Sequence, residues 1–146
     1  MYGYQEITFD EDMYDLRDIL ARFRELEDMV ADPDTNLDED ETAEHARIYR
    51  AMEALASEGG AGNLSPIEFF QTIADDEPCM ILDGQPWVKY VQDLYMETHE
   101  EFSKMVERHD GPFAHVSVDW EALAEEESTD WTQVDVESAK WWVRMP

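Results

Sequence analysis

The sequence predicts an α+β protein, with a helical N-terminal part and a small antiparallel sheet packed on helices. Two observations predict this class. Over most of the first half, apolar residues recur at spacings of three and four, which is the period of an amphipathic helix. After Thr129 the period becomes two, which is that of a strand. The expected division is an acidic helical part, residues 1–58, and an α+β part, residues 59–146, with one continuous domain as the alternative.

The N-terminal part is predicted to contain an edge strand and two helices. Residues 4–9 alternate loosely between apolar and polar, which favours an edge strand. From Met13 to Val30 the apolar residues follow helical spacing, so the first helix is expected to end near Ala31. A second helix is expected from Asp40 or Glu41 to Ser57, and the glycine-rich run at 59–63 ends it.

An acidic loop, residues 32–40, joins these two helices. Its alternating acidic residues are similar to those of a calcium loop, which also needs glycine at its sixth position and glutamate at its twelfth. Counted from Asp32, those positions hold Leu37 and Ala43. The pattern therefore favours a polar loop with a helix cap over a calcium site.

The α+β part is predicted to begin with a short helix, a strand and a long helix. Ser65, Pro66 and Glu68 have the spacing of a helix cap, a first turn and a glutamate that reaches back to the cap. Residues 79–82 are predicted as a short buried strand. Residues 87–108 are predicted as the longest helix of this part, because an apolar stripe runs through them at helical spacing.

The C-terminal stretch is predicted to be a short acidic helix followed by a hairpin. The helix is expected at residues 119–126 and the first strand at residues 131–136. Glu137 and Ser138 are expected to turn the chain, and residues 140–144 to return as the second strand. Trp141 and Trp142 must then point to opposite faces, so one of them needs a covering helix or a second copy of the chain.

The charge of the chain is strongly one-sided. Asp and Glu number 37 and Lys and Arg 10, so the formal net charge is −27. Residues 51–88 and 109–139 contain no Lys or Arg at all. Because domains that bind nucleic acid neutralise phosphates with clustered basic residues, direct binding to nucleic acid is excluded and a basic protein partner is expected.

Two other interpretations of the charge stay open. Salt-adapted proteins also carry excess acid and little lysine, and an acidic interaction module would engage a basic partner without any DNA-like geometry. A disordered acidic tail is excluded, because 43% of the residues are hydrophobic and 12% aromatic, which is enough for a core.

No enzyme, metal or cofactor site is predicted. The four histidines lack the spacing of a metal site, and no pair of carboxylates is singled out as acid and base. Cys79 is the only cysteine, so an intrachain disulfide is excluded. The first residues show no signal-peptide pattern and no stretch reaches membrane-spanning length, which favours a cytoplasmic protein.

Three short segments resemble the C-terminal part of antirestriction proteins of the ArdA type. Residues 118–124 read Val-Asp-Trp-Glu-Ala-Leu-Ala, residues 130–136 read Asp-Trp-Thr-Gln-Val-Asp-Val, and residues 141–144 read Trp-Trp-Val-Arg. Upstream, the resemblance extends over Ile81-Leu82-Asp83 and the aromatic, acidic helix that follows, so it covers residues 80–144. Glu127 and the Glu137-Ser138 turn depart from the family pattern.

The resemblance implies a protein from a phage, plasmid or other mobile element that imitates the charge pattern of DNA. Such a protein occupies the DNA channel of a host restriction enzyme, with a type I restriction-modification system as the first candidate target. A CRISPR effector or another basic protein is the alternative target. The resemblance also implies a homodimer, and Trp141 and Trp142 are the residues predicted for its interface.

Carboxylates on the two C-terminal helices are the predicted substitutes for phosphates. On a helix, residues four apart are separated by about 6 Å along the axis, which is comparable to the spacing of successive phosphates on one DNA strand. Asp93, Glu97 and Glu101 have this spacing. The full predicted set is Asp93, Glu97, Glu100, Glu101, Glu107, Glu121, Glu125, Glu126, Glu127 and Asp130.

Overall fold

The computed structural model describes residues 6–76, 78–99, 104 and 118–145. In this part of the chain, five α-helices surround a four-stranded antiparallel sheet, which confirms the predicted α+β class. In chain order the elements are β1 (Met13–Asp15), α1 (Leu16–Ala31), α2 (Glu39–Gly59), α3 (Pro66–Asp76), β2 (Cys79–Leu82), α4 (Gln85–Thr98), α5 (Trp120–Glu127), a 3-10 turn (Ser128–Asp130), β3 (Thr132–Val136) and β4 (Ala139–Val143).

The start of the chain differs from the prediction. Residues 4 and 5 lie outside the described residues and residues 6–9 form no strand, so the edge strand predicted there is wrong. The first strand is β1, in which Met13 pairs with Ile81 of β2 and is 53% exposed. Helix α1 therefore begins at Leu16, where the Asp15 carboxylate caps it by accepting a hydrogen bond from the Arg17 amide at 2.9 Å.

Capping boxes fix the starts of α2 and α3. Asp38 accepts a hydrogen bond from the Glu41 amide at 2.7 Å, and Glu41 reaches back to the Asp38 amide at 3.0 Å. Ser65 and Glu68 make the same reciprocal pair, which confirms the predicted start of α3. Helix α2 ends at Gly59 because Gly60 adopts a left-handed conformation, with φ of 67°.

The strand order in the sheet is β1-β2-β4-β3. One face packs on α1, α2 and α3 and buries Met80, Trp141 and Val143 completely. The opposite face is covered by α4 and α5, which bury Trp87 and Trp131 against it. The one large core on the first face joins residues of both predicted parts of the chain.

Trp141 and Trp142 have different neighbours on the two faces of the sheet. In β4, Trp141 faces the core formed by α1–α3 and is fully buried, whereas Trp142 faces α4. The Trp142 ring centroid lies 5.4 Å from that of Trp87. A covering helix therefore supplies the second neighbour that the sequence requires.

Helix α4 is shorter than predicted. It begins at Gln85 and ends at Thr98, because His99 leaves the helical region with φ of −125° and ψ of 78°. The helix predicted for residues 87–108 is therefore not continuous, because it is interrupted at His99; most of the predicted remainder lies outside the described residues. The Thr98 hydroxyl donates to the Leu94 carbonyl at 2.8 Å, and the His99 ring stacks on Tyr95 at this end.

Candidate functional site

The predicted acidic residues on α4 are exposed. Asp93 and Glu97 are four residues apart on the solvent side of this helix. Lys89 lies one turn earlier, and its Nζ is 3.5 Å from Asp93 Oδ2. Because both side chains of this pair are more than half exposed, water screens the pair and it reduces the negative field only weakly.

Helix α5 is capped at its own start and is anchored to α4 by one hydrogen bond. The Asp119 carboxylate caps α5 by accepting a hydrogen bond from the Ala122 amide at 3.0 Å. The buried Trp87 indole of α4 donates to the Ala124 carbonyl at 3.1 Å. Since Ala124 is the buried residue of this short helix, the rest of α5 is left to present its acidic side chains to solvent.

The predicted acids of the α5 region do not all have the same surroundings. Glu121, Glu125, Glu126 and Asp130 are exposed, and no ion pair holds them among the described residues. Glu127 is half-buried and accepts a hydrogen bond from the Trp131 indole at 3.1 Å. Glu127 therefore orients a core tryptophan, and its charge is partly used inside the chain.

These acids fall on two flanks of α4 and not on one face. Asp93 lines a pocket of about 200 Å³ together with Asp12 from the segment before β1. Glu121 and Glu125 line a cleft of about 350 Å³ together with Asp83 from the turn after β2. We call Asp12, Asp93 and Glu97 the β1 flank, and Asp83, Glu121 and Glu125 the α5 flank.

The two flanks are separated by the body of α4. Lys89 and Asp93 face the first pocket and Gln85 and Val88 face the second, and positions 88 and 93 are about 140° apart around a helix of 3.6 residues per turn. An α-helix with its side chains is about 10 to 12 Å wide. The carboxylates therefore fall into two groups, on different sides of α4.

Part of the predicted set falls elsewhere. Glu100, Glu101 and Glu107 lie outside the described residues, so the row of three at positions 93, 97 and 101 is described only for its first two members. Asp12 and Asp83, which sequence analysis did not select, belong to the site. Asp12 directly precedes β1 and Asp83 directly follows β2. The sequence shows these positions, but only the pairing of β1 with β2 shows that the two residues lie near each other at one end of the sheet.

The tryptophans predicted for a dimer interface have different surroundings. Trp141 is fully buried within its own chain and offers no surface to a second copy in this structure. Trp142 is half-buried, lines the cleft of the α5 flank, and donates from its indole to Asp83 Oδ1 at 2.9 Å. The homodimer stays a prediction, and only Trp142 of the pair has surface to contribute to it.

The arginines of α1 and α2 are engaged by neighbouring groups. Arg22 forms a forked ion pair with Glu44 at 2.8 and 2.6 Å and also contacts Glu25. The remaining contacts are Arg17 to Asp15, Arg24 to Gln71, Arg47 to the Ile7 carbonyl and Arg50 to Glu137. Three of these five arginines are therefore paired with carboxylates, whereas Arg24 and Arg47 bond neutral acceptors and keep their charge.

The carboxyl groups whose pKa is lowered serve local structure. The Arg17 side chain, by hydrogen bonding, holds the pKa of Asp15 below its ordinary value of 3.8. The Asp34 amide lowers the pKa of Asp32, and the Ser65 amide lowers that of Glu68. Each of these acids is a cap or turn residue, so none of the three marks a reactive carboxylate.

Two other kinds of site are absent from the described residues. No group of three or more His, Cys, Asp or Glu side chains among them is arranged to hold a metal ion. None of their helices is both long and apolar enough to cross a membrane. Comparison with protein-family models, curated proteins and solved structures gave no match to this chain.

Proposed function

We propose that this protein is a DNA-mimic inhibitor that occupies the DNA channel of a host defence enzyme. The observation that carries the proposal is the pair of exposed acidic flanks on either side of α4. Their carboxylates take the place of phosphates against the Lys and Arg side chains that line such a channel. Inhibition needs no bond to be made or broken, because an occupied channel excludes DNA.

The charge balance around the two flanks supports this proposal. From residue 118 to residue 139 the described chain contains no Lys or Arg, and the first cation after it, Lys140, is taken up by Asp135 at 3.2 Å. An unbalanced field of this kind steers a basic partner and raises the association rate by about 10- to 1,000-fold. A soluble surface without such a task usually mixes both signs.

The division of the acids between two flanks also supports it. Asp12 and Asp93 line one pocket beside α4, whereas Asp83, Glu121 and Glu125 line another. Two separate acidic groups suit a channel whose basic residues grip both strands of a duplex. A single compact acidic patch would suit only one of those strands.

The first candidate target is the DNA-recognition and methyltransferase part of a type I restriction-modification system. This choice follows the resemblance of residues 80–144 to the ArdA type. The charge and the geometry apply equally to any defence enzyme with a basic DNA channel, including a CRISPR effector. The choice of enzyme is therefore the part of the proposal that depends on the resemblance alone.

The test is displacement of a labelled duplex from the methyltransferase part of a type I enzyme. The wild-type chain is expected to displace it, and a variant at five exposed acids of α4 and α5 (D93N/E97Q/E121Q/E125Q/E126Q) to need a concentration about 100-fold higher or more, since each exposed pair contributes roughly 0.5 to 1 kcal/mol. Any single one of these changes should raise the concentration needed for displacement by less than about fivefold.

The matched control removes the same charge from the other side of the protein. D28N/E53Q/E58Q/D75N/D76N changes five exposed acids of α1, α2 and α3. It is expected to displace DNA within about threefold of wild type. Equal losses for both variants would mean that net charge alone matters. A complex that holds the chain and the duplex together would identify an acidic interaction module instead of a mimic.

A further inference from the structure

The cleft of the α5 flank combines acidic and aromatic walls. We call it the α4–α5 cleft; it has a volume of about 350 Å³, and its lining includes Asp83, Trp87, Glu121, Glu125 and Trp142. It lies between the turn that leads into α4 and the side of α5 that carries Glu121, Ala124 and Glu125. No Lys or Arg is among its lining residues, so its charge is uniformly negative.

The aromatic wall is held in place by hydrogen bonds at both indoles. Trp142 donates to Asp83 Oδ1 at 2.9 Å, and Trp87 donates to the Ala124 carbonyl at 3.1 Å. Their ring centroids are 5.4 Å apart, with the planes inclined by 30°. Because the indole N–H groups are already satisfied, what Trp142 presents to an incoming group is its half-exposed ring.

The acidic wall is formed by Glu121 and Glu125, whose carboxylates, unlike the indoles, are not engaged. Glu121 and Glu125 are one turn apart on α5, are exposed, and have no ion-pair partner among the described residues. Nothing in that part of the chain orients them. Two free carboxylates at one helical turn, next to an immobilised indole, are complementary to a cation that can also stack.

Among common protein groups, the arginine side chain fits this combination best. Its guanidinium is planar, stacks on aromatic rings and donates several hydrogen bonds to carboxylates in a fixed fork. A lysine ammonium is compact and more strongly hydrated, and therefore uses the ring less well. An anionic group would be repelled by all three carboxylates.

We propose that the α4–α5 cleft binds one arginine side chain of the basic partner. This inference rests on the proposed function and deepens it, because it names a specific contact within a broad electrostatic surface. A spread field brings the partner close without fixing its position. A cleft that accepts one guanidinium would set the register between the two proteins.

The inference is tested without any partner, by nuclear magnetic resonance of the full chain. Blocked arginine (N-acetyl-arginine amide) is added, and the Trp142 indole signal and the backbone amides of α5 are followed. Both are expected to shift with a millimolar dissociation constant. Blocked lysine should bind about threefold more weakly, and uncharged blocked citrulline should produce no saturable shift.

Two variants test the acidic wall and the aromatic wall separately. E121Q/E125Q should weaken arginine binding about fivefold or more, whereas E53Q/E58Q, which removes the same charge from exposed sites on α2, should leave it within about twofold. Trp142→Leu keeps apolar bulk without the ring. It should weaken arginine about threefold while the α5 amides still report binding, and should change lysine less.

Three outcomes would overturn the inference. They are equal weakening by the cleft and control pairs, equal affinity for arginine and lysine, and shifts in the Trp142 signal that follow protein concentration alone because a second copy covers the cleft. These results are distinct from failure of the proposed function. Duplex displacement can succeed when arginine does not bind the cleft, and arginine can bind when no duplex is displaced.

Discussion

Acidic residues have opposite tasks in the N-terminal helices and in the segment that carries α5. In α1 and α2 the Glu25 and Glu44 carboxylates pair with Arg22, and Glu44 is completely buried at the junction of the two helices. In the α5 region Glu121, Glu125 and Glu126 face solvent without an ion pair among the described residues. Composition alone does not distinguish the paired carboxylates from the unpaired ones.

The difference teaches that net charge and local charge balance are separate properties. Glu44 accepts hydrogen bonds from the Ile7 amide at 2.7 Å and from two nitrogens of Arg22, so its charge is fully used inside the fold. The hydrogen bond to Glu44 raises the pKa of Arg22 above its ordinary value. The charge available to a partner is what remains after such pairs.

The largest expected effect comes from breaking the buried pair. Glu44→Gln leaves Arg22 without its anionic partner, and we expect it to lower the free energy of unfolding by about 3 kcal/mol. Glu53→Gln, at an exposed site of the same helix, should change it by less than about 0.5 kcal/mol. Urea unfolding of both variants measures this. Similar values for the two would show that burial does not distinguish these acids.

The hairpin turn supplies the next effect. Glu137 and Ser138 have positive φ angles of 49° and 67°, which the two central residues of a type I′ turn require and which non-glycine residues adopt at a cost. Ser138→Gly is expected to raise the free energy of unfolding by about 1 kcal/mol. Gly60→Ala is the counterpart, since φ is 67° and nothing lies within 4 Å of an added Cβ.

Gly60→Ala should accordingly lower the free energy of unfolding by about 1 kcal/mol. Thermal unfolding at a fixed salt concentration compares the two variants. If Ser138→Gly destabilised the chain, the turn would owe its stability to the Ser138 side chain, contrary to this account.

Removing acids from α5 should have a smaller effect, of opposite sign to that of Glu44. In E121Q/E125Q/E126Q, like-charge repulsion falls and no pair is broken, so the free energy of unfolding should stay equal or rise by up to about 1 kcal/mol at low salt. Added salt should remove this difference by screening. Chemical unfolding at two salt concentrations is the measurement, and a clear loss of stability would show that these acids stabilise the fold.

Acid pH gives the smallest effect. Because the pKa of Asp15 is lowered in the folded chain, its contribution is complete above its ordinary value of 3.8 and is lost as pH falls through the lower folded value. Arg17→Met removes the main cause, so the pKa of Asp15 should rise toward 3.8. A carboxyl titration followed by nuclear magnetic resonance tests this, and an unchanged pKa would assign the shift to the helix cap alone.

Local signals predicted the regular elements that depend on neighbours in sequence. The Ser65–Glu68 capping box, strand β2 and the hairpin were all identifiable from residue type and spacing. The end of α4 was not, because the apolar spacing continues past His99 and conceals the break. Burial of Glu44 was also hidden, since only the packing of α1 on α2 distinguishes it from its exposed neighbours.

The candidate site was partly predictable for the same reason. Acids on α4 and α5 could be selected by helical spacing, but their division between two flanks depends on how α5 and β1 lie beside α4. Asp12 and Asp83 join the flanks only through sheet pairing. Helical spacing therefore predicted which acids are exposed on one helix, and the tertiary structure decides which of them lie on the same flank.

The most direct test of the central claim is a salt titration of two affinities for one target, the methyltransferase part of a type I enzyme. Binding of this chain and of duplex DNA is measured separately and then together. We expect mutually exclusive binding, with both affinities falling steeply and in parallel as salt rises. A ternary complex, or an affinity for the chain that does not depend on salt, would contradict it.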